Sequence, residues 1–196
     1  MVRVIAGAAK GRQLYSVPGE GTRPISDRVK ESLFSILGPD TEESVWLDLF
    51  AGTGSVGIEA LSRGAHHVVF IDKAHQAVTT VRRNLELTGL GERAQVIRGD
   101  ALRYVRQASP DPLFDYIYVA PPQYRELWAE TLLALDERLP LAEYGQVIVQ
   151  IHPKEFGPVP LQHLELVDER RYGSTLLLFY EFTEPDQEEA SDATPS

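Results

Sequence analysis

The sequence has no cysteine, which excludes disulfides and thiolate metal ligands and fits a reducing or a hot environment. It lacks any run of about 18 apolar residues, so no membrane-spanning helix is expected. The opening MVRVIAGAAKGRQL carries basic residues but no apolar signal core, and a cytoplasmic location is expected. Positive charge is scarce: 19 Lys and Arg against 29 Asp and Glu leave a net charge of −10. That balance argues against indiscriminate binding of nucleic acid. His66, His67, His152 and His163 show no ligand spacing with carboxylates, and no metal is expected.

What is present is enough for one globular domain. The chain has 196 residues, 43% of them hydrophobic, sufficient for one sizeable core. Charge is unevenly spread. In the first thirty residues Arg3, Lys10, Arg12, Arg23, Arg28 and Lys30 are opposed only by Glu20 and Asp27. This basic arm is either a local phosphate-binding face or a set of solvated side chains. At the other end Glu181, Glu184, Asp186, Glu188, Glu189 and Asp192 occur without one base. With almost nothing apolar to bury, residues 183–196 read as a disordered acidic tail.

From Val45 onward short apolar runs alternate with amphipathic ones. VWLDLF precedes a helical stretch from Ser55 to Arg63, and HVVFID precedes one from about His75 to Thr88. AQVIRGD precedes a helix over 101–107, and FDYIYVA one near 125–138. Runs of four to six residues rich in Val, Ile, Phe and Tyr predict buried parallel strands, and the 3.6-residue patterns between them predict crossover helices. The class is therefore α/β, a doubly wound Rossmann-like sheet with helices on both faces. GQVIVQIH is then followed by LELVDERRY and STLLLFYEF, which are too close for a helix and predict an antiparallel finish. Before Val45, RVIAG and RQLYSV predict a small strand pair. TRPISDRVKESLFSIL predicts a helix capped by Ser26 or Asp27, with Val29, Leu33, Phe34 and Leu37 on one face. The expected boundaries are a hairpin-and-helix extension over 1–40, a core domain over 41–182 and the tail.

The segment from Leu47 to Gly57 contains GxGxxG between a strand and a helix. Glycines serve a tight turn and a close approach of backbone to ligand there, although the pattern alone also describes mere turns. Two ligands compete. A dinucleotide would set its pyrophosphate on the helix N-terminus with Asp72 on the ribose. S-adenosylmethionine brings a sulfonium and an ammonium, for which nearby carboxylates are useful. Asp48 suits its amino-acid moiety, Asp72 its ribose hydroxyls and Asp100 its adenine amino group. Each aspartate alone also reads as a cap or a solvated strand end; three at successive strand ends favour the methyl donor. The candidate cofactor contacts are Asp48, Phe50, Ala51, Gly52, Thr53 and Gly54 on the bend, Asp72 and Lys73 after the second core strand, and Asp100 and Ala101 after the third.

RVIAG…KGRQL, TRPISDRVKESLFSIL, LDLFAGTGSVGIEALSRGA, VFIDK and the PPQY loop together resemble the bacterial 16S ribosomal RNA guanine-N2 methyltransferases, the RsmD family. The resemblance covers about residues 2–182, and the TRP…DRVKESLF segment is its most specific part. It implies a class I methyltransferase fold with an RNA-facing N-terminal extension, S-adenosylmethionine as donor and a monomer. The implied reaction is methylation of the exocyclic N2 of one guanine in 16S rRNA, within the small subunit or its precursor. It also implies that the TRP segment borders the substrate cleft. Lys10, Arg12, Arg23, Arg28 and Lys30 are then the candidate RNA contacts, Arg23 foremost with Arg28 beside it.

One loop departs from the family, in which the fourth core strand ends in Asp or Asn, two prolines and Phe or Tyr. Here Ala120 holds the acid position, followed by Pro121, Pro122, an extra Gln123 and Tyr124. A guanine amine is a poor nucleophile because its lone pair is delocalised, so acceptors on its N–H groups matter. Losing one costs about 3 kcal/mol by analogy with other preorganised groups. Asp115, about 16 Å upstream on an extended strand at about 3.3 Å per residue, cannot replace it. The expectation is that Gln123 and the Pro121 carbonyl hold the amine while Tyr124 stacks on the base. Other readings remain: an amine acceptor on adenine, cytosine or glutamine; an rRNA-binding assembly factor with weak or no catalysis; and, last, a nicotinamide oxidoreductase.

Overall fold

A computed structural model describes residues 2–19, 25–107, 113–123, 126–138 and 140–183. The expected tail, apart from Thr183, and the candidate residues Arg23 and Tyr124 lie outside the described residues. Two short strands, β1 (Val2–Arg3) and β2 (Gln13–Leu14), pair antiparallel and precede helix α1 (Asp27–Leu37). Then follow β3 (Val45–Leu49), α2 (Ser55–Ser62), β4 (His67–Asp72), α3 (His75–Thr88), β5 (Ala94–Arg98), α4 (Ala101–Gln107), β6 (Phe114–Val119) and α5 (Leu127–Arg138). The chain closes with β7 (Leu141–Ile151), β8 (Leu164–Tyr172) and β9 (Thr175–Phe182).

The seven core strands form one sheet in the order β5-β4-β3-β6-β7-β9-β8. β3 to β7 run parallel, and β9 inserts antiparallel between β7 and β8. This is the class I methyltransferase arrangement, with the expected antiparallel finish. β7 starts earlier than its apolar run, at Leu141, and its pairing with β6 shifts register between Phe114 and Tyr116. Gly145 explains the irregularity: a Cβ there would stand 2.3 Å from a Leu141 methyl and 2.8 Å from the Phe114 carbonyl oxygen. The backbone crosses too closely for any side chain.

Each face of the sheet has its own apolar layer. One joins α1, α2 and α3 to Trp46, Phe70, Tyr116, Ile148 and Phe179. Trp46 is stacked there with Phe34 at 5.6 Å and tilted against Tyr116 at 4.7 Å between centroids. The other layer sets Trp128, Leu132 and Leu135 of α5 and Val105 of α4 against Leu47, Ile117, Val147 and Leu178. Ser26 caps α1, its hydroxyl accepting from the Val29 amide at 3.3 Å, and Val29, Leu33, Phe34 and Leu37 are buried as the spacing predicts.

The N-terminal pair belongs to the first layer, since Val2, Val4, Ala9 and Leu14 are buried in it. Its attachment is polar as well. Glu59 of α2, fully buried, accepts from the Ile5 amide at 2.7 Å and the Ala6 amide at 3.0 Å. Ser62 accepts from the Ala9 amide and donates to the Ala6 carbonyl.

Lys30, expected on the RNA face, is instead buried in this joint. Its ammonium lies 3.3 Å from Glu59 Oε2 and donates to the Arg3 carbonyl, while Arg63 meets the other Glu59 oxygen at 2.9 Å. Burial lowers the Lys30 pKa, and the Glu59 charge opposes that shift. The residue falls on the inward face of α1, one position beyond Val29, so it is a structural cation and not a phosphate contact.

Across the sheet, Asp136 of α5 accepts from the amides of Gln162, His163 and Leu164, each at 2.8 Å, and so anchors the start of β8. Replacing Lys30 with Met leaves Glu59 short of its buried cation and should lower unfolding free energy by about 3 kcal/mol. Urea denaturation checks this; an unchanged midpoint would mean that Arg63 and the two amides satisfy Glu59 alone.

Candidate active site: a glycine bend beside a diproline loop

Leu49 at the end of β3 pairs with Ile71 of β4 on one side and Val119 of β6 on the other. The segments after β3, β4 and β6 therefore emerge together at the C-terminal edge, where open parallel sheets hold ligands. After β3 the chain turns sharply: Phe50, Gly52 and Gly54 have φ of 62°, 56° and 74°. A phenylalanine in the left-handed region costs about 1 kcal/mol, and its ring packs against the α4–α5 layer in compensation. The Ala51 amide donates to the Ile71 carbonyl at 2.9 Å, and the Gly54 amide to the Ala51 carbonyl at 2.7 Å. Above Gly52 the surface is open, since a Cβ would find only the Phe50 oxygen, at 3.9 Å.

The third glycine has a different duty. A Cβ on Gly57 would stand 2.4 Å and 2.7 Å from the Phe70 ring, so its absence seats α2 against β4. The Gly57 amide then donates to Asp48 Oδ2 at 3.2 Å. Asp48 is 2% exposed. Burial pushes its pKa well above the usual carboxylate range, the Gly57 amide opposes this, and the charge of Asp72 adds to it. Asp72 fixes the bend directly, accepting from the Gly52 amide at 2.9 Å and the Ala74 amide at 2.8 Å.

The remaining candidates are less committed to one place. Asp100 is exposed and caps α4, accepting from the Arg103 amide at 3.0 Å, which is the structural role weighed against its adenine contact. Lys73 is exposed beside the bend, and Ala101, the first residue of α4, is buried. On the β6 side Ala120 packs its methyl against the first core layer, Pro121 and Pro122 are half-buried, and Gln123 is exposed at the turn. Lys10, Arg12 and Arg28 are exposed as expected of solvent-facing cations. Asp115 accepts from the Val45 amide at 2.7 Å at the far end of the sheet, out of reach of this loop.

One residue at the bend escaped the sequence reading. Asn84 of α3, fully buried, donates from its amide nitrogen to the Thr53 carbonyl at 2.9 Å and to the Tyr15 carbonyl at 3.1 Å. Its oxygen accepts from the Tyr15 amide at 2.7 Å. The available signal was its position: it falls on the apolar stripe of Ala77, Val78, Val81 and Leu85.

Among the described residues, two hollows lie away from this edge. A groove of about 440 Å³ runs between Phe156–Gln162 and β8–β9, and an acidic one of about 260 Å³ lies at the N-terminal ends of β3 and β6. Neither touches the bend.

The raised Asp48 pKa carries a stability consequence. A carboxyl that holds its proton more tightly folded than unfolded stabilises below its unfolded pKa, and that contribution is lost as pH rises through the native value. Asp48→Asn keeps an acceptor for Gly57 and cannot ionise. It should raise stability at pH 8 by about 1 kcal/mol, about 3 °C in Tm, with the gain vanishing below about pH 4. Thermal melts across that range check it; equal curves at pH 8 would refute it.

A family model described as "Conserved hypothetical protein 95" matches residues 2–181. The putative rRNA methyltransferase YlbH of Bacillus subtilis strain 168 is 40% identical over 91% of this chain and 98% of its own. The ribosomal RNA small subunit methyltransferase D of Haemophilus influenzae is 40% identical over 69% of this chain and 71% of its own. Among solved structures, the putative methyltransferase yhhF of Escherichia coli superposes with a TM-score of 0.81 at 30% identity, over 92% of this chain and 97% of the other. Matched by the family model over residues 2–181 and 40% identical over 91% of its length to the B. subtilis relative, the chain belongs to the RsmD family.

Proposed function

We propose that the protein transfers a methyl group from S-adenosylmethionine to a base of small-subunit rRNA, at the exocyclic N2 of a guanine. The observation that carries the reading is the pairing of Leu49 with Val119, which brings the glycine bend and the Ala120–Gln123 loop out side by side. The names of the B. subtilis and H. influenzae relatives support an rRNA substrate.

The bend suits a cationic donor. Asp72 beside it and Asp48 beneath it supply carboxyl groups, a bound cation would offset the burial that disfavours the Asp48 charge, and the open backbone at Gly52 allows close approach. Asp48 and Asp72 would hold the donor's amino-acid and ribose groups, with Phe50 to Gly54, Lys73, Asp100 and Ala101 lining the rest. When bound, the donor supplies an electrophilic methyl on sulfur and leaves as a neutral thioether.

The chain's own task is to orient the nucleophile. The Pro121 carbonyl and the Gln123 side-chain oxygen accept hydrogen bonds from the two N–H groups of the amine, which localises its lone pair along the line of attack, and the proton released as the N–C bond forms passes to solvent. Tyr124 stacks on the base once it is drawn from its surroundings. Because charge is dispersed during transfer, positioning and exclusion of water contribute more than a strong base does. Lys10, Arg12, Arg23 and Arg28 neutralise phosphates without reading sequence. Ala120, a packed methyl where the family has an acid, keeps one other reading in view: an rRNA-binding assembly factor with little catalysis.

Incubation with labelled donor and undermethylated small subunits, followed by mapping of the modified base, tests the reading. Label on guanine N2 supports it, and tight binding without label favours the assembly factor. Gln123→Ala should slow single-turnover methylation about a hundredfold. An undiminished rate would remove Gln123 from the mechanism.

A further inference from the structure

We propose that Tyr15 and Arg83 form a second RNA-contact subsite, which stacks an unpaired base of the strand flanking the target, and that Asn84 holds this platform in register with the cofactor bend. The inference rests on the rRNA-methylation reading above and adds to it a surface that neither the glycine motif nor the basic arm contains.

Tyr15 follows β2 and keeps 44% of its surface in water. The Arg83 guanidinium carbon lies 4.2 Å from the centre of its ring, and Arg83 is itself exposed. An exposed ring with a cation over it offers a π-face for a base and a charge for a phosphate. Lys10 and Arg12, on the turn joining β1 to β2, are exposed too, and the segment from Val2 to Tyr15 carries three basic residues and no acidic one. A partner attracted by charge alone, such as an acidic peptide, would need the guanidinium and have no use for the ring.

The platform is held rigidly. Asn84 takes both backbone polar groups of Tyr15, accepting from its amide at 2.7 Å and donating to its carbonyl at 3.1 Å. The same amide nitrogen donates to the Thr53 carbonyl on the bend at 2.9 Å. Both amide hydrogens and the oxygen of Asn84 are thus engaged between the N-terminal segment and the cofactor loop, inside the core where none can be exchanged for water. α3 follows β4 and the diproline loop follows β6, so platform and loop flank β3 and its bend from opposite sides. A strand whose target base enters at the loop can then lay a neighbouring nucleotide on Tyr15 without reordering the protein.

Initial-rate methylation of undermethylated small subunits, combined with binding of S-adenosylhomocysteine, tests this. Tyr15→Ala leaves the backbone bonds to Asn84 in place. It should raise KM for the subunits about tenfold, with kcat within about twofold and S-adenosylhomocysteine affinity unchanged; Tyr15→Phe, which keeps the ring, should restore KM. Arg83→Gln should flatten the dependence of log affinity on log salt by about one unit of slope, and it carries the test should Tyr15→Ala not fold. Asn84→Asp should weaken subunits and S-adenosylhomocysteine together. If the wild type methylates and neither Tyr15→Ala nor Arg83→Gln alters subunit binding, the platform is refuted while the rRNA reading stands. Asn84→Asp with both affinities intact would refute the positioning role. If the wild type neither binds nor methylates the subunits, the reading and the platform fall together.

Discussion

No side chain fits at position 57, where α2 meets β4, and much of the molecule follows from that. With hydrogen at the Cα of Gly57, the helix rests directly on Phe70 and Val68. The helix axis is thereby fixed over the sheet, and its first amides come down onto the end of β3, where Gly57 meets Asp48. The left-handed turns at Phe50, Gly52 and Gly54 are the path by which the chain climbs from strand to helix in that confined space. A larger residue at 57 would lift α2 and open the bend at the same time.

Two residues later the same helix presents Glu59 on its other side. A carboxylate out of water is tolerable only when fully satisfied, and here Ile5, Ala6, Lys30 and Arg63 all serve it. The buried charge thus recruits the N-terminal strands and α1 to the sheet. Arg63 extends the joint, its guanidinium lying 4.9 Å from the Phe34 ring centre. The contact that orients α2 over the cofactor edge therefore also determines where the basic arm lies.

The repeating strand-and-helix pattern was plain in the residues because parallel strands buried on both faces leave apolar runs such as VVFI and YIYV. The bend was legible because its glycines answer to local backbone geometry. Lys30 was not, since its partner is 29 positions away and no local rule tells a buried lysine from a solvated one. The early start of β7 was hidden for a similar reason: Gly145 answers to the distant Phe114 carbonyl, not to its own neighbours in sequence. Asn84 lay in between. A polar residue on an apolar stripe signals a buried amide, but only the fold reveals that Tyr15 and Thr53 are what it binds.

The way β1 and β2 share the α1–α3 layer bears on how such proteins diversify. Val2, Val4, Ala9 and Leu14 belong to the same apolar mass as Leu33, Phe34 and Trp46, so the first fifteen residues are not a detachable cassette. Removing them would strip hydrophobic cover from the body beneath and leave Glu59 without its amide partners. Changes in what this arm greets must therefore accumulate one surface residue at a time, on a hairpin whose inward side is held constant by the enzyme beneath it.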